Sequence, residues 1–549
     1  MVSLLLLLAC APDPVEPPAV VDDEIVDRTV RASLAMRGVR PTVDELRSVA
    51  ADPTQLEALV RGWLDDPAFA ETVRDQHAFH LGLRTANIGK LPAIGPLAGQ
   101  DLGAIAHALD EAPLQLIADV VTTGRPYREV LTTSDTMADP ITAAAHGLAH
   151  EPRGPTWQRT PWTDGRPAAG VLADTAFNQR YMSSNTNFHR ARAAAAMTTF
   201  LCRNLLDAAS PTLFDPAGAE DAVREDPQCL ACHQSLDPAA SAFWGMHPYI
   251  LSSDVIESYE SGCPDDAYCL PLPFWRNDEA QGWRDHDLPA PGWNEEAVDG
   301  LAGLARAWAD DPSFDRCTAR RFHAWHTGRN VDDVPDKIVS ELTAVLQAHE
   351  GDVRELVVAS VLHADLGTAP RRLLRPEELA RTIERLTGFR WEGDPDATST
   401  RDDPCVVGCY GLVDLARSDA HGFRTLLGGV DGWDILEPAH GPSPTHALAL
   451  EWLTDEAARH VVSVDTQALL PDRRLFLHVE PDEIATAAPV RRQLAHLHAA
   501  ILGELVDDDH PSVARTEDLF RAVEAEEGPA AAWEAVVSAM LQDHRVVLP

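Results

Sequence analysis

The chain has 549 residues, 45% of them hydrophobic and 24% charged, a balance that excludes a disordered polymer and predicts two to four packed domains. Its 86 acidic side chains against 45 basic ones leave a formal net charge of -41, which repels phosphate backbones and anionic lipid surfaces and argues against nucleic acid as a partner. The acidity reads as a solubility device rather than as a docking face for a basic partner.

In chain order, Met1-Val2-Ser3 and the apolar run Leu4 to Leu8 lead directly into Ala9-Cys10. Such a start reads as a processing segment over 1–10 rather than as structure. Leu7-Leu8-Ala9-Cys10 resembles the lipobox of bacterial lipoproteins, which implies lipidation of Cys10 and a membrane contact made through that lipid. Residues 11–22 carry Pro12, Pro14, Pro17 and Pro18 among acidic residues, the composition of a tether. No later stretch is long and apolar enough to span a bilayer.

Residues 23–150 carry a helical pattern. Thr42-Val43-Asp44-Glu45 and Thr54-Gln55-Leu56-Glu57 are both capping-box sequences, in which Thr accepts from the third helical N–H and Glu reaches back. After the second, Leu56, Leu59, Val60, Trp63 and Leu64 follow the spacing of one apolar helix face, and Asp66-Pro67 breaks it. Pro155, Pro161 and Pro167 with Gly154 and Gly165 predict a linker over 151–168. A central domain over 169–370 is expected to hold a Pro/Trp-rich loop region from Cys263 to Trp293 and helices over Ala297–Ala309 and Asp336–His349. The last domain, 371–549, opens on Pro376-Glu377-Glu378, with Leu379, Ile383 and Leu386 as its buried stripe and Gly388 as its stop. The predicted fold is mainly α: a multi-domain helical protein with loop-rich insertions and a few short strands.

The strongest chemical signal is Cys229-Leu230-Ala231-Cys232-His233. Two cysteines three apart at the start of a helix reach both vinyl groups of a porphyrin, and the following histidine turns its imidazole to the iron. This spacing predicts one covalent haem c, with His233 as proximal ligand. Three other readings use the same residues: a zinc site, which lacks a second CxxC or HxxxH pair; a redox dithiol, which lacks a βαβ context; and a plain disulfide. Met246 is the expected distal ligand, since Gly245 lets the chain fold back, with Met182, His189, His247, His323 and His326 as alternatives. Asp507-Asp508-Asp509 and Asp22-Asp23-Glu24 read as solvated charge runs, and Leu427-Gly428-Gly429-Val430-Asp431-Gly432 lacks the spacing of a nucleotide loop.

With Cys10 given to lipid and two cysteines to haem, six of the nine remain. Close spacing pairs Cys263 with Cys269 and Cys405 with Cys409, which leaves Cys202 for Cys317.

The haem motif also has familiar company. Cys229 to Pro238 followed by Phe243-Trp244-Gly245, with Asn185-Thr186-Asn187, Arg190-Ala191-Arg192 and Phe200-Leu201-Cys202 before it and Phe314-Asp315-Arg316-Cys317 after it, resembles the planctomycete and myxobacterial type of cytochrome c domain. The flanking blocks resemble that family's helical partner domains, through Trp63-Leu64-Asp65-Asp66-Pro67 on one side and Leu386-Thr387-Gly388-Phe389 on the other. The resemblance implies a covalent haem and a place in the bacterial envelope, and it implies no substrate. The expectation is an envelope lipoprotein that passes single electrons to a redox partner protein. Two further readings stand beside it: a peroxidase- or oxygenase-type haem enzyme with an open sixth position, and a cofactor-free structural or binding lipoprotein.

Overall fold

The computed structural model describes residues 23–85, 91, 93, 95–183, 187–205, 227–246, 274–393, 413–417 and 422–549. Over these residues the protein is mainly helical, as expected. Its sheets are three antiparallel two-stranded ribbons: Asp135–Ala138 with Gln158–Pro161, Gly292–Trp293 with Glu296–Ala297, and Glu392–Gly393 with Val413–Asp414. No described helix is long and apolar enough to cross a membrane. Cys10 and the tether, Cys263, Cys269, Cys405, Cys409 and His247 lie outside the described residues.

The first helices form where their caps direct. Thr42 Oγ1 accepts from Glu45 N at 3.2 Å and Glu45 Oε2 accepts from Thr42 N at 2.7 Å, so the first capping box closes and opens the helix Val43–Ala51. The second does not close. Asp52, two residues earlier, accepts from Thr54 N, Thr54 Oγ1 and Gln55 Nε2, a shorter reach that leaves Thr54 in a helical conformation with no cap of its own. The helix Gln55–Trp63 still buries Leu56, Val60 and Trp63, because its apolar stripe and not its cap holds it. Asp66 then caps the helix Pro67–Leu81, with Pro67 in its first turn.

One large core gathers Ala32, Met36, Trp63, Phe69, Ile117, Leu172, Phe200, Phe243, Trp308 and Leu356, so its packing runs from the N-terminal helices to the helix Val353–Leu362. It continues across 151–168. The expected linker carries the strand Gln158–Pro161, and Arg159 in that strand binds Asp135 at 2.8 Å and Asp119 at 2.9 Å, which ties the Pro/Gly run to the helix Leu102–Thr122. The helix expected from Ala297 starts at Gly300, because Ala297 pairs with Gly292 in a ribbon. A second core collects Leu379, Ile383, Leu453, Val461, Phe476, Phe520 and Trp533 from the C-terminal helices. The helix Pro376–Thr387 buries Leu379 and Ile383 and stops at Gly388, whose φ of +77° favours glycine.

The helix Asp23–Arg37 serves both cores, giving Ala32, Ala35 and Met36 to one and Val26, Val30 and Leu34 to the other. A buried ionic chain adds a polar tie between them. Arg381 of the Pro376–Thr387 helix pairs with Asp75, Asp75 with Arg84 at 2.6 Å, and Arg84 with Glu111.

Asp110, next to that chain, accepts from Arg84 N at 3.1 Å, and burial pushes its carboxyl up to about 8 against the restraining effect of that bond. The unfolded carboxyl ionises near 3.8, so between about pH 4 and 8 the unfolded state gives up a proton that the native state keeps, and native stability falls as pH rises. Asp110→Asn keeps the acceptor oxygen and removes the titration. Thermal melts should show the variant close to wild type at pH 4 and more stable at pH 7.5, by on the order of 1 kcal/mol or more; a difference that does not grow with pH would contradict this.

Candidate functional site

The cysteine-histidine motif occupies the first turns of the helix Pro227–Ser241. Cys229, Cys232 and His233 stand at i, i+3 and i+4 and share one face. That face continues through Leu236, Ala239, Ala240 and Phe243, all buried in the first core. Leu230, Ala231 and Gln234 point to solvent. The motif therefore lies on the inward stripe of the helix, at the end where burial gives way: Cys229, Cys232 and His233 are each half-buried, while Leu236 and Phe243 are covered. Pro238 lacks the N–H that would bond back to Gln234, and the helix ends one turn later.

The helix packs on Arg190–Leu201. Arg190 Nε donates to Asp237 Oδ1 at 2.6 Å and Arg190 Nη2 to Asp237 Oδ2 at 2.9 Å, a forked pair. His233 Nδ1 lies 2.9 Å from the same Oδ1, so Nδ1 donates to the carboxylate, and Nε2 makes no hydrogen bond among the described residues. Burial alone would raise the Asp237 carboxyl, yet the bonds from His233 and Arg190 outweigh it and hold the group below its ordinary value. Both thiols are free, and Cys232 Sγ lies 3.7 Å from Leu205 O.

Two residues further along the same supporting helix, Arg192 is fully buried. It donates to Tyr181 O, Asn178 O, His189 Nδ1 and Met246 O. With neutral acceptors around it, burial lowers its guanidinium to about 9. The bond to Met246 O is 2.7 Å, and Met246 also bridges to Trp275 across the backbone. Gly245 permits that bridge: a Cβ there would stand 2.5 Å from the Trp275 ring. Phe188, His189, Trp244 and His286 form an aromatic group beside the pair of helices.

Cys202 at the end of the Arg190–Leu201 helix is joined to Cys317 in the helix Pro312–Thr327, the pairing expected from the cysteine spacing. The helix that carries Arg190 is thus fixed covalently at its other end.

The alternative iron ligands divide on their surroundings. Met246 is 1% exposed and sits among core side chains. His323 has both nitrogens engaged, Nδ1 with Ser360 Oγ at 2.9 Å and Nε2 with Asp365 Oδ2 at 3.1 Å. His326 Nδ1 is bonded to the same Ser360 Oγ, and His189 Nδ1 is bonded to Arg192. Met182 lies on the surface, 40% exposed. Among the described residues no three His, Cys, Asp or Glu side chains converge as a metal site.

Asp237 and Arg190 had no role assigned from sequence. Asp237 stands at i+4 from His233, so helical spacing alone could have placed it; Arg190, 47 residues away, comes to the site only through packing. Comparison with family models, with curated proteins and with solved structures finds no match.

Replacing Cys202 and Cys317 together by alanine opens a loop of 115 residues and should cost roughly 2–5 kcal/mol. Reductant should lower the melting temperature of the wild type more than that of the double variant. Equal sensitivity of the two proteins to reductant would count against the crosslink.

Proposed function

We propose that this protein is a c-type cytochrome of the bacterial envelope, holding one haem covalently through Cys229 and Cys232 with His233 as its proximal ligand. The observation that carries this reading is the placement of the three residues. They share the inward stripe of one helix at its half-covered end, with His233 Nε2 left over after Nδ1 has been bonded. An apolar ring attached there extends the stripe that Leu236, Ala240 and Phe243 already bury.

The chemistry of the donor set also fits. The thiols are unpaired and at i, i+3, and a helical histidine directly follows. Bound haem supplies a reversible one-electron couple. The chain's own residues anchor it by two thioethers, orient the imidazole through Asp237, and fix Asp237 through Arg190. The Cys202–Cys317 bridge favours an oxidising compartment, in keeping with export and with lipid at Cys10. The redox partner is another protein, and membrane contact is made through the lipid.

A second reading, a haem enzyme with an open sixth position, draws support from Met246. A thioether bound to iron would turn one face to the space the porphyrin takes, whereas Met246 is enclosed by protein and pinned at its backbone.

Protein exported with a cytochrome c maturation system should give a haem-staining band on denaturing gels and a c-type pyridine haemochrome spectrum. Cys232→Ser should lose most of the stain, and His233→Ala should keep less stable haem of altered spin state. An exported, intact chain without stain would remove the cytochrome reading and leave an envelope scaffold. Slow CO and cyanide binding in the resting protein supports electron transfer; rapid binding supports the enzyme.

A further inference from the structure

We infer that Asp237 and Arg190 form a charge relay that sets how strongly His233 donates to the haem iron, with Asp237 strengthening the ligand and Arg190 holding that strengthening in check. The inference rests on the haem reading above and concerns the tuning of that site. Three side chains from two helices carry it.

His233 donates from Nδ1 to a carboxylate oxygen rather than to a backbone carbonyl, at 2.9 Å, and the carboxylate is covered, with Asp237 8% exposed. A full negative charge on the far side of an imidazole pulls the Nδ1 proton outward and raises the basicity of Nε2. A more basic ligand stabilises the oxidised iron and lowers its potential. The low local dielectric of a covered site strengthens the effect.

Arg190 works the other way. Its fork takes both oxygens of Asp237, including Oδ1, which the imidazole also uses. Charge drawn toward the guanidinium is withdrawn from the imidazole. The arginine is the first residue of its helix, and Cys202 at the other end of that helix is crosslinked, so the fork is held in place by structure outside the relay. An ion pair that only joined the two helices would need neither the shared oxygen nor the histidine.

The test uses the haem-loaded full chain, with Asp237→Asn and Arg190→Gln compared with wild type. Two readouts are taken: the midpoint potential, and the iron–imidazole stretching frequency by resonance Raman of the ferrous protein after photolysis of its CO adduct. Asp237→Asn should raise the potential and lower the stretch; Arg190→Gln should lower the potential and raise the stretch. Loss of a nearby charge by itself moves the potentials in these directions but leaves the stretch in place. An unmoved stretch in both variants, or a shift of the same sign in both, overturns the relay. If Asp237→Asn does not accumulate, Arg190→Gln decides alone, because the relay requires its stretch to rise. A wild-type chain that takes up no haem removes the cytochrome reading itself, and the relay with it; haem-loaded protein with unmoved stretches removes only the relay.

Discussion

The geometry of the cysteine-histidine face depends on how the helix Arg190–Leu201 is held. Three constraints act along it: the fork from Arg190 to Asp237 at its start, the fully buried Arg192 two residues in, and the bond from Cys202 to Cys317 just past its end. Each is of a different physical kind. The fork is directional and sets the rotation of the motif helix. Arg192 is a charge among three backbone carbonyl oxygens and the His189 Nδ1 nitrogen, whose burial costs several kcal/mol and is tolerated only because these four acceptors meet it. The disulfide is indifferent to rotation but removes freedom from the unfolded chain. Loss of any one leaves the other two to hold the helix, yet only the fork reaches His233.

Around this beam the rest of the fold acts as a support. The core that takes Leu236 and Phe243 also takes Phe200, Phe314 and Phe322, so the motif helix, its supporting helix and the disulfide-bonded helix close on the same apolar interior. The helix Asp23–Arg37 then extends that support to the C-terminal helices, because its two faces belong to two cores. Helical spacing makes this sharing possible: Val30 and Leu34 lie on one stripe, Ala32 and Ala35 on another. The chain from Arg381 through Asp75 and Arg84 to Glu111 repeats the link in ionic form. In such a buried chain of alternating sign the inner members, Asp75 and Arg84, each meet two opposite charges, and removal of either strands its neighbours.

Much of this is legible in the sequence where the controlling interaction is local. The first capping box, the stripe of Leu56, Val60 and Trp63, the stop at Gly388 and the helical placement of the CxxCH residues all follow from spacings of three or four. What escapes is decided by competition or by packing. Asp52 displaced Thr54 as a cap because an aspartate two residues from its donors reaches them without ordering a long side chain. The Pro/Gly run at 151–168 reads as a linker because breakers mark turns, while the strand Gln158–Pro161 and the ion pairs of Arg159 within it depend on packing that no local signal shows. The Arg190–Asp237 fork spans 47 residues, and no periodicity encodes it.

The burial gradient along the motif helix bears on each chemical reading of the motif in a different way. A structural zinc ion would draw its ligands into a closed tetrahedral shell, and among the described residues no third or fourth ligand converges. A redox dithiol works through a lowered thiol pKa supplied by a helix N-terminus or a nearby cation, and the place of the two thiols in the first turns of their helix supplies the first of these. The proposed haem would use, besides the two thiols on one stripe, an imidazole with one nitrogen bonded and the other left over, and an apolar surface that begins where the motif ends.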